Sequence, residues 1–213
     1  MKRNQSGFTL IEIAIVLVII GLLLGGVLKG QELINSAKVK NLAGDFKNIP
    51  VAIYGYQDKY KATPGDDLLA VSHLSGASGV DAGGGNGLID GNWNSTTATD
   101  ESFNFWQQIR LAGFGPGSTD KSSPEYIPQN AVGGTLGVTN VSSSPISGMK
   151  GTYVICSGSI AGKFAKQIDL TLDDSNTATG TIMVNSNTSG TPSVALATGS
   201  VTDDATYTVC LGF

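Results

Sequence analysis

Between Phe8 and Leu28 a single ionisable side chain, Glu12, interrupts an otherwise apolar run of 21 residues. At about 1.5 Å per residue such a run makes a helix roughly 30 Å long, the thickness of a bilayer's hydrocarbon core. Lys2 and Arg3 precede it, and the bias of basic residues toward the cytoplasm places everything beyond Lys29 on the opposite face. The run is too long for a removable secretion signal, and no Ala-x-Ala pattern closes it at Lys29. A cut ahead of the apolar run fits better than one behind it.

Glu12 needs a physical reason to be there. A carboxylate on a spanning helix costs on the order of 2.5–3.5 kcal/mol at the bilayer centre and less toward the interface, so an unpaired one suits a mere anchor badly. Either it has a cationic partner, or it lies shallow enough to stay hydrated and does nothing specific.

The helical pattern continues past the run. Leu42, Phe46, Ile49, Ile53, Tyr56 and Tyr60 recur at spacings of four and three, one apolar stripe on one helix face. This predicts a helix from about Phe8 to about Lys61 whose outer half lies on a folded domain. Gly25-Gly26, Gly30, Gly44 and Pro50 all weaken helix interiors, which leaves open a separate amphipathic helix after a broken linker. Pro50 is expected to kink the helix, because its ring clashes with the Phe46 carbonyl. Pro64-Gly65 then ends it and opens a loop region. Within that region Glu101 to Ala112 reads as a short helix docked by Phe103, Trp106, Ile109 and Leu111. Strand-like runs follow at Thr152 to Cys156, Thr181 to Asn185, Ser193 to Ala197 and Thr206 to Leu211. Between the first two lies a helical pattern, Ala161, Ala165, Ile168 and Leu172, with Ser157 or Ser159 as its expected cap. The fold class predicted is α+β, a long N-terminal helix packed on a mostly antiparallel sheet.

Composition suits an exported protein. Only 14% of residues are charged, and Gly numbers 29. Losing Lys2 and Arg3 with a leader leaves 11 of 13 basic residues against 17 acidic ones, a formal charge of −6. A surface of that sign does not steer toward phosphate backbones, so nucleic-acid binding through the bulk surface is not expected.

The stretch Gly7-Phe8-Thr9-Leu10-Ile11-Glu12 resembles the prepilin signature of type IV pilins and of the pseudopilins of type II secretion systems. The match spans roughly residues 1 to 30. It implies that a prepilin peptidase cuts between Gly7 and Phe8 and methylates the new amine of Phe8. It further implies that Glu12 pairs with that amine on a neighbouring subunit as the apolar helices stack into a filament core. The spanning helix of related filaments can unwind locally on assembly, and Gly21 and Gly25-Gly26 are the candidates here. Beyond the signature, Val27 to Ile34, Tyr56 to Tyr60 and Thr63-Pro64-Gly65-Asp66-Asp67 resemble a subgroup of large pilin-like proteins. The implied organisation is a leader at residues 1–7, a transmembrane and filament-core helix at 8–28 and its amphipathic half at 29–62. A variable loop region at 63–149 and a C-terminal sheet region at 150–213 complete it.

Cys156 and Cys210 are the two cysteines, both in expected strands. Export into an oxidising compartment, and the resemblance to the disulfide-bounded C-terminal region of type IV pilins, imply that they pair; two buried free thiols are the alternative. Their spacing suits neither a zinc site nor a Cys-x-x-Cys redox pair.

No metal site is assigned from the sequence. Two acidic loops, one with Asp81, Asn86 and Asp90 and one with Asp173 and Asp174, carry the oxygen types calcium prefers. The alignment Asn86-Gly87-Leu88-Ile89-Asp90 with an EF-hand loop fails, because its first and last ligand positions fall on Ala82 and Trp93. Solvated turns are the preferred reading of both loops. Enzymatic readings fare worse: His73 is the lone histidine, and neither a nucleophile elbow nor a phosphate loop accompanies it. The neighbours Asp66-Asp67 and Asp173-Asp174 are not expected to aim at one point as catalytic dyads.

The expected function is therefore structural, a type IV pilus or pilus-like subunit. Its partners would be itself and other pilins, prepilin peptidase, and an assembly platform with its ATPase. It would sit in the inner membrane by a single pass with its ectodomain in the periplasm, and then in a surface filament or a periplasmic pseudopilus. The alternatives are a type II secretion pseudopilin, or a minor pilin acting as tip adhesin or binding module, which a surface aromatic patch around Trp93 would support.

Overall fold

A computed structural model describes residues 9–74, 79–186 and 192–213. Its first element, α1 (Leu10–Tyr60), is one unbroken helix of 51 residues. Lys61 ends it in the left-handed conformation (φ 55°), its N–H reaching the Gln57 carbonyl at 2.8 Å, and Pro64 follows. Pro50 lies inside this helix and removes one donor to Phe46. The helix runs on through it, since Ile49, Ala52 and Ile53 around it are all buried and packing supplies what local propensity lacks. The broken-linker alternative is not the one the chain adopts.

Contacts divide the chain into two units, Met1–Lys38 and Val39–Phe213. In the first, no described side chain is buried. The second holds the outer turns of α1 together with α2 (Ala70–His73), α3 (Glu101–Leu111), β1 (Leu136–Asn140), β2 (Tyr153–Ala161), α4 (Gly162–Leu172), β3 (Ile182–Asn185) and β4 (Thr206–Gly212).

The four strands form one antiparallel sheet in the order β1-β2-β4-β3. Strand alternation sorts its side chains into two faces. One carries Leu136, Val138, Ile155, Val209, Ile182 and Val184, which share a core with Leu42, Phe46, Ile49 and Ile53 of α1. The predicted stripe is thus the core-facing one, with Tyr56 fully buried and Tyr60 half-buried. Phe103, Trp106 and Ile109 dock α3 into the same core, as expected. The other face carries Val154, Cys156, Met183 and Cys210 and is sealed by Trp93, Ile146 and Met149. Gly137 of β1 is what lets Trp93 lie there, because any Cβ at that position would strike the Trp93 carbonyl.

Four details differ from expectation. The sheet begins at Leu136, well before Thr152; a five-residue stretch containing a glycine reads as loop until pairing with β2 supplies its hydrogen bonds. Ser193 to Ala197 forms only an isolated bridge from Ser193 to Ile146, flanked by Pro192, which donates nothing, and by a 3-10 turn at Thr198–Ser200. Ser157 and Ser159 do not cap α4, because β2 runs straight on to Ala161 with a register shift between Ser157 and Ile160. Instead the first N–H groups of α4, at Gly162 and Lys163, donate to the carbonyls of Ala205 and Asp203. Trp93 is only 3% exposed, so the aromatic surface that an adhesin reading would use is core instead.

Candidate functional site

The first turn of α1 shows what Glu12 does within its own chain. Thr9 precedes the helix and Glu12 is its third residue, the capping-box arrangement. Glu12 Oε2 accepts from the Thr9 N–H and from the Thr9 hydroxyl, both at 2.8 Å, while the Glu12 N–H donates to Thr9 Oγ1 at 3.3 Å. Orphan donors at the helix start are satisfied, and the carboxylate sits at the positive end of the helix dipole. The Thr-x-x-Glu spacing before an apolar run is a sequence-level sign of this cap. Gly7 and Phe8, the expected processing residues, lie outside the described residues.

Downstream of this cap the helix is apolar on every face. Leu17 is 63% exposed, and Ile13, Val16, Leu22, Leu24 and Leu28 are exposed as well. A sleeve of that length does not persist in water; lipid or other apolar helices must cover it.

The second unit is closed covalently. Cys156 and Cys210 lie directly opposite each other in β2 and β4 and form the disulfide, as the resemblance implied.

The acidic residues around the loop 81–93 have mostly inward work. Asp66 accepts from the backbone N–H of Asn86 (3.1 Å) and of Gly87 (2.6 Å), and Glu101 from those of Gly84 (2.7 Å) and Asp90 (2.9 Å). Burial, joined by the charge of Asp66, pushes the Glu101 carboxyl up against the lowering pull of those two donors. Of the calcium candidates in this loop, Asp81 pairs with Lys121 at 2.6 Å. Asn86 Nδ2 donates to Asp90 Oδ2, and Asp90 Oδ1 accepts from Asn140 Nδ2. Sequence reasoning missed Asp66 and Glu101 as the organisers, because their partners are backbone groups 17 to 21 residues (Asp66 to Asn86 and Gly87, Glu101 to Gly84) or 11 residues (Glu101 to Asp90) away.

Asp66 and Asp67 diverge, as expected of neighbours. Asp67 accepts from the Tyr56 hydroxyl (2.7 Å) and the Leu69 N–H (2.8 Å) and lies 2.7 Å from His73 Nδ1, while the His73 ring stacks on Tyr60. Burial first, and Asp67 second, push the Tyr56 hydroxyl far above its ordinary range. Asp67, His73 and Tyr60 border an open cleft of about 590 Å³ with Gln57, Thr63 and Leu68. Tyr56 is fully buried with its proton committed to Asp67, so it is not a nucleophile for the Asp–His pair to activate. Its evident work is to tie the end of α1 to α2.

Asp173 and Asp174, by contrast, converge, and on a residue the sequence reading did not single out. Carboxylate oxygens of Asp169, Asp173 and Asp174 all lie within 4.8 Å of one another. Asp169 is fully buried, and both its oxygens lack a hydrogen-bond partner. Burial, then Asp174 and Asp173, raise its carboxyl to about 6. Hydrogen bonds from Thr179 and from the Asn176 N–H lower that of the exposed Asp174. The signal was present in the sequence: Asp169 falls on the apolar face of α4 with Ala165, Ile168 and Leu172.

Among curated proteins no match to this chain is found. The family model described as the prokaryotic N-terminal methylation motif matches residues 2–28, the segment that holds Gly7, Phe8, the Thr9–Glu12 cap and the apolar run. Through that segment the chain carries the N-terminal signature of the type IV pilins and pseudopilins.

Proposed function

We propose that the chain is a structural subunit of a type IV pilus or pilus-like filament. Prepilin peptidase cuts between Gly7 and Phe8 and methylates the Phe8 amine. The mature chain waits in the inner membrane by a single pass, ectodomain in the periplasm, until the assembly platform and its ATPase draw it into a polymer of itself and related pilins. The observation that carries this reading is the apolar part of α1: none of its described side chains is buried by its own chain, yet it is continuous with a helix that anchors a disulfide-closed ectodomain. In the polymer, neighbouring helices cover that surface, and Glu12 exchanges part of its bonding to Thr9 for the methylated amine of the adjacent Phe8. An acidic ectodomain with its sheet covered on both faces gives no reason to expect nucleic acid as a partner.

The test is intact mass and N-terminal sequencing of protein from sheared surface filaments and, separately, from the membrane fraction. The expected result is sheared material that starts at N-methylated Phe8 and is lighter than the reduced chain by the two hydrogens a disulfide removes. Mature protein confined to the envelope would place the chain in a type II secretion pseudopilus instead. Protein that begins at Met1 everywhere would overturn the filament reading.

A further inference from the structure

The cluster at the end of α4 is not explained by the filament reading and does not depend on it. Three carboxylates meet where the helix dipole is negative, which adds to their mutual repulsion. Asp169 is the revealing member. A buried carboxylate with no donor on either oxygen is among the costliest groups a fold can hold, and among the described residues no Lys or Arg pairs with any of the three.

We propose that Asp169, Asp173 and Asp174 bind a hard divalent cation of calcium's size. All three supply oxygen, the donor that calcium and magnesium prefer and that zinc and copper do not require. The larger ion is favoured because magnesium dehydrates reluctantly and is seldom held by an all-protein cage. The carboxylate oxygens, all within 4.8 Å of one another, are close enough to share one ion.

The surrounding bonds leave room for such an ion. Asp173 Oδ2 accepts from the N–H groups of Thr181 (2.6 Å) and Ile182 (2.7 Å), and Oδ1 stays available. Asp174 accepts from the Asn176 N–H at Oδ1 and from Thr179 Oγ1 at Oδ2, and carboxylate oxygens have lone pairs to spare. Gly180, at φ 82°, lets the chain fold against Asp173, where a Cβ would collide with that carboxylate. A cation at this point would fasten the end of α4 to the loop that enters β3, and through β3 to the sheet edge.

The test uses the full-length chain in detergent micelles, stripped with EGTA. Thermal unfolding followed by near-ultraviolet circular dichroism, and isothermal titration, are run with calcium chloride and with magnesium chloride. Calcium is expected to bind at one site per chain and to raise Tm by roughly 5–10 °C at a hundredfold excess over Kd, with a smaller effect of magnesium. Asp169→Asn is expected to abolish both the binding heat and the shift. It removes a buried charge without changing shape, so it should fold; Asp174→Asn, at an exposed position, provides a second variant that leaves the core untouched and should weaken binding at least tenfold. No heat and no shift in the parent chain would overturn the proposal, as would an Asp169→Asn chain that keeps its calcium response. So would a parent chain stabilised by acid alone and indifferent to calcium, for then Asp169 is simply a protonated carboxyl.

Discussion

Residues 9–38 and residues 39–213 satisfy apolar burial in opposite ways, although one continuous helix contributes to both. Beyond Val39 that helix differentiates its faces, and Leu42, Phe46, Ile49 and Ile53 disappear into a core the chain builds for itself. Up to Leu28 it is apolar all round, and up to Lys38 none of its described side chains is fully buried. A helix with one apolar stripe can be completed by its own domain, whereas one apolar on every face needs a surrounding medium, lipid or other copies. The stability of the second region is therefore internal, and that of the first belongs to whatever covers it.

The comparison can be broken experimentally, beginning with the largest effect. Phe46→Ala should cost the second region about 3–5 kcal/mol, because Phe46 is 1% exposed and its removal leaves a cavity between α1 and the sheet. Urea unfolding followed by near-ultraviolet dichroism reads this, with membrane extraction unchanged. Cys210→Ser should cost roughly 2–5 kcal/mol in the same assay, and the loss should equal that of the reduced parent chain.

A third effect depends on pH. The folded carboxyl of Asp169 is raised from 3.8 to about 6, by burial and by the facing Asp174 and Asp173. A folded-state pKa above the unfolded one means that the native state holds the proton more tightly. In EGTA the contribution of Asp169 to stability should be fully present below about pH 4 and should be lost, by about 2–3 kcal/mol, as pH rises through about 6. Asp169→Asn should remove that component of the pH profile; an identical slope in the variant would show that other groups set it.

The remaining effects concern the first region and leave the second alone. Thr9→Ala should remove the cap and cost the helix start about 1 kcal/mol while keeping the Glu12 charge. Glu12→Val removes both. Each should leave the protein membrane-inserted and cleaved, but only Glu12→Val should strongly impair incorporation into filaments, measured as sheared protein per cell. Equal impairment by both would mean that capping, and not pairing between subunits, is the role of Glu12. Leu17→Ala should change unfolding of the second region by no more than about 0.5 kcal/mol, since Leu17 is 63% exposed. A larger drop would show that the two regions do not hold themselves separately.

Much was legible in residue order because the relevant physics is local or periodic. An apolar run as long as a bilayer is thick, a stripe at spacings of three and four, and a cleavage signature spanning adjacent residues all survive without knowledge of the fold. So does the α3 segment, whose aromatics recur at helical spacing. The Thr9–Glu12 cap belongs with them, since its groups lie three residues apart.

Other features depend on groups far apart in sequence. Leu136–Asn140 has no strong strand pattern of its own and becomes β1 because β2 offers its edge. Trp93 stands in a polar, glycine-rich stretch that reads as surface, and it is buried only because β1 and β2 carry glycines beneath it. Asp66 and Glu101 look like solvated acids until a loop distant in sequence folds its N–H groups onto them. The convergence of Asp173 and Asp174 on Asp169 was likewise decided by how α4 packs on the sheet. Periodicity and adjacency thus determined the long helix, its apolar run and its processing signature. Tertiary structure alone decided which polar groups face inward and meet, since hydrogen bonding and charge act over a few ångströms of space whatever the separation along the chain.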